Sequence, residues 1–189
     1  MDAWDKRLIT SIYNKYEGSW VRKAAIIVSF FGDPKLWIPT LVVFGVYGII
    51  IEDFSLFVVF ATGFFQSYAI YYVIKHFIVK RQRPYKQDDD IVNLDVTGYG
   101  HSFPSGHVHH SSILMGLLWL QFFPVWWALP LLVVYNGLVG YSRLVSGCHY
   151  ASDTFFAIFE SYPELFFHWF VTAPLYLQIY DYFVSIIPF

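Results

Sequence analysis

The sequence predicts an all-α protein, a polytopic membrane helix bundle of five to six transmembrane helices with an N-terminal amphipathic interfacial helix. Of its 189 residues, 57% are hydrophobic and only 14% are charged, whereas a soluble domain carries about 25% charged residues. Several uncharged runs also approach the roughly 20 residues that a helix needs to cross a bilayer. The length favours a single membrane-embedded domain over residues 1–189.

The beginning of the chain predicts an amphipathic helix over residues 4–31 that lies in the membrane interface. Apolar side chains recur there at helical spacing, at Trp4, Leu8, Ile12 and Tyr16, with basic residues between them. A soluble cap packed on the bundle is the alternative. Gly32-Asp33-Pro34 ends the helix, and the mixed charge of the first residues argues against a signal peptide.

Five predicted spans follow, each a largely apolar run between charged or turn-forming residues. They are residues 36–51, 54–75, 105–123, 125–143 and 152–172. The sequence allows two arrangements of the C-terminal end, because Pro163 and Pro174 disfavour an uninterrupted helix. Either one long helix runs to about Thr172 and residues 174–188 form an interfacial tail, or two shorter spans pack together and 174–188 is a sixth span.

One face of the last span is polar, and such a face belongs in the protein interior. It carries Glu160, Glu164 and His168. Three further polar blocks lie where spans begin or end, and alternation of the spans brings them to one membrane face. The blocks are Arg83-Pro84 after a basic run, Pro104-Ser105-Gly106-His107, and Ser142-Arg143 followed by His149 and Asp153.

The chemistry of these blocks suits a phosphate group. The proline-led helix start in the second block offers free N–H groups and the positive end of the helix dipole. Arg83 and Arg143 add guanidinium forks that match phosphate oxygens. His149 and Asp153 are four residues apart, so one helical turn would place the carboxylate beside the imidazole and fix its tautomer.

In this order the blocks resemble the type 2 phosphatidic acid phosphatases, a membrane family that shares its site with vanadium haloperoxidases. The resemblance covers about residues 75–153, and the second and third blocks match without a gap. It implies that His149 attacks phosphorus, that Asp153 orients and stabilises it, and that His107 protonates the leaving oxygen and then activates water. It also implies that the phosphate oxygens are held by Arg83, Arg143 and the backbone of Ser105 and Gly106.

The first block departs from the family pattern, which is a lysine, six residues and then Arg-Pro. Seven positions before Arg83 stands His76, and Lys75 lies one position further back. Three interpretations are open: Lys75 reaches the site through a helix distortion, His76 substitutes for it, or the positive charge comes from Lys80 or Arg81.

The resemblance implies a multi-pass protein of the cell membrane with its active site at one interface. Its reaction would be the metal-independent hydrolysis of a lipid phosphate or diphosphate through a phosphohistidine, with polyprenyl diphosphate, phosphatidic acid and phosphatidylglycerol phosphate as candidate substrates. A lipid phosphotransferase and a non-catalytic membrane binding protein are the alternatives.

The predicted partners are the bilayer and the lipid phosphate. We expect no cofactor and no metal; the weaker metal interpretations are the acidic run Asp88-Asp89-Asp90 and a zinc cluster of His101, His107, His109 and His110. The net charge of −2 gives no reason to expect a nucleic-acid partner, and the sequence carries no signal for an oligomeric state.

Overall fold

The computed structural model describes residues 3–94 and 100–186, and all the regular secondary structure of these residues is helical. The all-α prediction is confirmed. The helices are α1 (Ala3–Lys15), α2 (Trp20–Phe31), α3 (Trp37–Ile51), α4 (Ser55–Val73), α5 (Gly106–Phe122), α6 (Leu129–Val145), α7 (Ala151–Phe167) and α8 (Ala173–Ile186). Short 3₁₀ turns lie at Pro34–Leu36, Pro84–Lys86 and Trp126–Ala128, and π-helical turns at Ile74–Ile78 and His168–Thr172.

The N-terminal segment forms two helices, where the sequence predicted one over residues 4–31. Gly18 adopts a φ of +67°, which glycine reaches without the steric cost that a side chain would bring. Ser19 then caps α2 by accepting a hydrogen bond from the N–H of Arg22 at 3.4 Å. The chain therefore turns between Lys15 and Trp20.

The two N-terminal helices have different surroundings. Helix α1 packs on α6 and α7 and buries Ile9 and Tyr13 in a cluster at one end of the bundle, as the alternative of a packed cap proposed. Helix α2 lies along α6 and leaves Ile27 and Phe30 more than half exposed. An apolar outer face of this kind is suited to lipid.

Among the described residues, three helical segments are long and apolar enough to cross a membrane, namely Pro34–Ile51, Ser55–Ile78 and Trp126–Val145. They correspond to three of the predicted spans, 36–51, 54–75 and 125–143. Helix α5 is shorter and lies at the centre, in contact with α4, α6 and α7. The outer surface of the bundle is apolar, with Ile50 73% exposed, while buried positions include serines and histidines. The total of five to six spans stays a prediction.

The C-terminal segment is helical without a break from Ala151 to Ile186, whereas the sequence predicted either a helix that ends near Thr172 or a pair of shorter spans. Pro163 lies inside α7. Pro174 is the second residue of α8, so the residue four positions before it, Phe170, lies in the π-helical turn His168–Thr172. A proline ring clashes with the carbonyl group four residues earlier, and the wider backbone of a π turn relieves that crowding. The continuous helix is roughly 50 Å long at 1.5 Å per residue.

Helices α5 and α7 pack closely at Gly116. A Cβ atom at this position would overlap with Cδ2 of Leu165 and lie 3.1 Å from its Cδ1. Leu165 is itself only 1% exposed and packs with Phe60 and Leu117. The absence of a side chain at Gly116 thus sets the separation of these two helices.

We expect Gly116→Ala to destabilise the protein by about 1–3 kcal/mol, the usual cost of an overpacked core. The measurement is unfolding in detergent, followed by circular dichroism. Gly137→Ala on α6 is the matched control, because nothing lies within 4 Å of its Cβ position. Equal effects of the two substitutions would contradict the proposed packing.

Candidate active site

The three polar blocks meet at one end of the bundle, around a cavity of about 220 Å³. The loop after α4, the start of α5, the end of α6 and the start of α7 supply its functional groups. The cavity is lined by Asp33, Pro34, Lys35, Tyr68, Tyr71, Arg83, Gly106, His107, His110, Arg143 and His149. Five of the predicted site residues therefore border one space.

The carboxylate of Asp153 is fully buried and bound from several directions. Its Oδ2 accepts the backbone N–H of Tyr150 at 2.9 Å and the hydroxyl of Ser102, and its Oδ1 accepts Nη1 of Arg81 at 2.9 Å. Nδ1 of His149 lies 3.6 Å from Oδ2. The sequence spacing predicted that His149 and Asp153 lie along one helical turn. His149 instead precedes the first residue of α7, so the pair is arranged across the helix start.

The tautomer of His149 follows from its neighbours. Nη1 of Arg83 lies 3.2 Å from Nε2 of His149, and an arginine can only donate. Nε2 therefore carries the lone pair, and the proton sits on Nδ1, on the side of Asp153. Burial, and then the positive charges of Arg83, Arg143, Lys75 and His107, hold the pKa of His149 well below its usual value. The imidazole is thus held in its neutral form, with the lone pair on Nε2.

The two arginines are anchored differently. Nη1 of Arg83 also donates to the carbonyl of Cys148 at 3.2 Å, and its Nε donates to the carbonyl of Gly100 at 3.4 Å. Arg143, in the last turn of α6, donates to the hydroxyl of Ser29 on α2. Sequence reasoning missed Ser29, which lies in a helix without any recognisable motif.

The second block begins α5 at the cavity wall. A Cβ atom on Gly106 would lie 2.7 Å from the hydroxyl of Tyr71, so only glycine fits this approach. His107 follows in the first turn and is 9% exposed. The backbone N–H of Ser105 donates to the carbonyl of Asp153 at 3.2 Å. The buried hydroxyl of Ser105 has no partner among the described residues. This hydroxyl is therefore available to a ligand, whereas the N–H is not.

The first block shows why the spacing is one residue longer than in the family. The π-helical turn Ile74–Ile78 ends α4, and a π turn accommodates one extra residue in a helix. Lys75 is 6% exposed and its Nζ has no hydrogen-bond partner within the described part of the chain. Nζ lies 4.9 Å from the ring centroid of Tyr71, which borders the cavity. The distortion thus turns Lys75 inward.

The other sources of positive charge point elsewhere. His76 is exposed, and its ring lies against Tyr72 with a centroid distance of 4.4 Å. Lys80 is exposed as well. Arg81 contacts two carboxylates, through Nη1 to Asp153 and through Nη2 to Asp5 at 2.7 Å.

Asp5 is a functional candidate that the sequence did not reveal, and Arg81, predicted only as a possible source of positive charge, pairs with it. Asp5 lies on α1, is 2% exposed, and accepts hydrogen bonds from both the N–H and the hydroxyl of Ser152. Nη1 of Arg81 donates to that hydroxyl too, at 2.6 Å. Arg81 also lies over the ring of Tyr150, 3.9 Å from its centroid. Helix α1 is thereby connected to the carboxylate beside His149.

Comparison with known proteins identifies the family. A family model described as the PAP2 superfamily matches residues 54–174, more than half of the chain. The matched stretch contains all three polar blocks. No curated protein and no solved structure matches the chain. The chain therefore belongs to the PAP2 superfamily, and this membership indicates a phosphatase that acts on phosphate esters.

Proposed function

We propose that the protein is an integral-membrane phosphatase that hydrolyses a lipid phosphate or diphosphate through a phosphohistidine intermediate on His149. The observation that carries the proposal is the neutral, lone-pair-bearing Nε2 of His149 inside a cavity bordered by Arg83 and Arg143. A nucleophile among fixed cations is what phosphoryl transfer requires, because the reaction depends on positioning and on stabilisation of the phosphoryl charge.

In the first half of the reaction, Nε2 of His149 attacks phosphorus and the bond to the leaving oxygen breaks. His107 donates a proton to that oxygen. The ring of His149 becomes positively charged, and the carboxylate of Asp153 beside Nδ1–H stabilises it. Arg83 exchanges its contact with Nε2 for a phosphate oxygen, while its bond to the carbonyl of Cys148 keeps it in place.

In the second half, water attacks the phosphohistidine. Neutral His107 accepts a proton from the water, and the phosphorus–nitrogen bond breaks and returns the electron pair to Nε2. Arg83, Arg143 and Lys75 stabilise the charge of the phosphoryl group in both halves. The hydroxyl of Ser105 is a further donor for a phosphate oxygen, because it is buried without a partner among the described residues.

A lipid substrate is supported by a second cavity, of about 500 Å³, that adjoins the first. The two share Asp33, Lys35 and His107 in their lining. The second cavity adds apolar side chains from the region between α2 and α3, including Ile26, Phe30, Leu36 and Pro39. We place the phosphate in the inner cavity and the apolar part of the lipid along these side chains. Polyprenyl diphosphate, phosphatidic acid and phosphatidylglycerol phosphate all have this form.

The contact between Asp5 and Arg81 has a role in this mechanism. Arg81 fixes the Oδ1 side of Asp153, which leaves Oδ2 to face His149. Asp5 partly neutralises the positive charge of Arg81. Arg81 therefore compensates the negative charge of Asp153 only in part, and the remainder can stabilise a positively charged His149. Asp5 is thus a positioning residue that acts through Arg81.

The nucleophile is tested with His149→Ala, which we expect to abolish phosphate release from a panel of lipid phosphates in detergent. Wild-type protein quenched in alkali during turnover should carry an acid-labile phosphate that the variant lacks. Size-exclusion chromatography and thermal unfolding serve as controls for folding. Retention of even a tenth of the wild-type rate would rule out this role for His149.

The first block is tested with Lys75→Ala and His76→Ala as a matched pair. Because only Lys75 is turned inward, its removal should cost about 2–5 kcal/mol of transition-state stabilisation, a fall of roughly 30- to 5,000-fold in kcat/KM. His76→Ala should leave kcat/KM nearly unchanged. Small and equal effects would mean that neither side chain binds phosphate.

The role of Asp5 is tested with Asp5→Asn, which should lower kcat about tenfold, or about 1.4 kcal/mol. KM should stay the same, since Asp5 does not border either cavity. Asp89→Asn, which removes an exposed charge from the loop, is the control and should leave both constants unchanged. A rise in KM at constant kcat would assign Asp5 to substrate binding instead.

A further inference from the structure

A second cluster of ionisable side chains lies inside the bundle. It is separate from the cavity lined by Arg83, Arg143 and His149, called the phosphate cavity below. His109 of α5 and Glu160 and Glu164 of α7 offer three ligand atoms that all lie within 4.8 Å of one another. His109 is fully buried and Glu164 is 7% exposed. None of the three borders the phosphate cavity, and the proposed reaction uses none of them.

The surroundings of His109 leave one ring nitrogen facing oxygen atoms. Nδ1 is paired with the carboxylate of Glu160, so its proton is directed there. Nε2 lies 3.0 Å from the hydroxyl oxygen of Ser67, 3.2 Å from the carbonyl oxygen of Ser67 and 3.6 Å from Oε2 of Glu164. The single hydroxyl proton of Ser67 is also within reach of Nδ1 of His110, at 2.8 Å. These oxygen atoms favour a positive centre at Nε2, either a second ring proton or a bound cation.

The carboxylate of Glu164 is a second, separate feature of this cluster. Its Oε2 is buried and has no hydrogen-bond partner among the described residues, although it points at His109. No lysine or arginine in the described part of the chain pairs with Glu160 or Glu164. Two carboxylates against one imidazole leave at least one negative charge without compensation, which is unfavourable in a bundle surrounded by lipid.

A proton on Glu164 would remove that charge, but the acceptor that Oε2 faces, Nε2 of His109, lies 3.6 Å away, beyond the distance of an O–H···N hydrogen bond. A divalent cation between His109 and Glu164 satisfies both the lone pair of Nε2 and the orphaned Oε2. The spacing is suitable: ligand atoms around a tetrahedral zinc ion lie about 3.4 Å apart for bonds of about 2.1 Å, and Nε2 and Oε2 are 3.6 Å apart.

We propose that the protein binds one divalent transition-metal ion, best matched by zinc, between Nε2 of His109 and the carboxylate of Glu164. An oxygen of Ser67 is placed to complete the ligand set. Glu160 holds the imidazole from Nδ1, the carboxylate–histidine–metal arrangement that orients metal-binding histidines. A mixed imidazole and carboxylate set favours zinc over magnesium or calcium.

The ion has a structural role. It joins α4, α5 and α7, and α5 and α7 also carry His107 and Asp153. His109 lies two residues after His107, so the metal fixes the beginning of α5 without touching the phosphate. Its removal should therefore lower thermal stability while the chemistry at His149 stays intact.

The experiment uses the full chain, purified in detergent, stripped with a chelator and then equilibrated with zinc. Metal analysis after gel filtration should give one zinc per chain, and cobalt in place of zinc should give the visible absorption of a four-coordinate ion. Glu164→Gln should lose the metal. Glu160→Gln should still bind it, but about 10- to 100-fold more weakly. Glu52→Gln, at an exposed position, is the matched control and should bind like the wild type.

Thermal unfolding provides a second measurement. Chelation should lower the Tm of the wild type and of Glu52→Gln, but not that of Glu164→Gln. Wild-type protein that binds no zinc at saturating free metal overturns the proposal, and a protonated Glu164 then accounts for the cluster. Zinc that persists in Glu164→Gln and disappears in His76→Ala overturns it too, by placing the metal on His76 and the neighbouring His101. If Glu164→Gln does not fold, the zinc stoichiometry and the cobalt spectrum of the wild type still test whether the protein binds one four-coordinate ion.

Discussion

The site depends on one buried carboxylate. Asp153 has no access to water, so protein groups must supply its hydrogen bonds, and its oxygens accept bonds from Arg81, Ser102 and the N–H of Tyr150. Arg81 and Ser102 belong to the long loop between α4 and α5. Holding them at Asp153 fixes the positions of Arg83, which lies two residues after Arg81, and of Ser105, which begins α5. The need to satisfy one carboxylate thus assembles the phosphate cavity from separate segments.

The charges around the cavity are arranged for an anion. The positive groups that lower the pKa of His149 are Arg83, Arg143, Lys75 and His107. They repel one another, and the ammonium of Lys75 has no hydrogen-bond partner within the described residues. A phosphate relieves this repulsion and supplies the absent acceptors. Burial and then the same positive charges lower the pKa of His149, so the charges that suit an anion also favour the neutral imidazole.

Much of this was predictable from the sequence, and the exceptions have physical reasons. The convergence of the three blocks followed from alternating spans, and the all-α class followed from the apolar composition. The choice between Lys75 and His76 was not predictable, because a π turn leaves no mark in the hydrophobic pattern. The break at Gly18 could have been predicted, because a glycine is followed there by a serine that caps the next helix. The pairing of Asp5 with Arg81 joins residues 76 positions apart, and no local pattern encodes such a contact.

The N-terminal helices contact the candidate site, although the family match begins only at residue 54. Asp5 on α1 holds Arg81, and Ser29 on α2 accepts a hydrogen bond from Arg143. Two groups that control the phosphate site are therefore positioned from outside the matched segment. Helix α2 also lines the apolar cavity through Ile26 and Phe30. The matched segment carries the three polar blocks, while the first two helices contact Arg81 and Arg143 and line the second cavity. Differences in substrate within such a family can consequently arise from helices that carry none of its motifs.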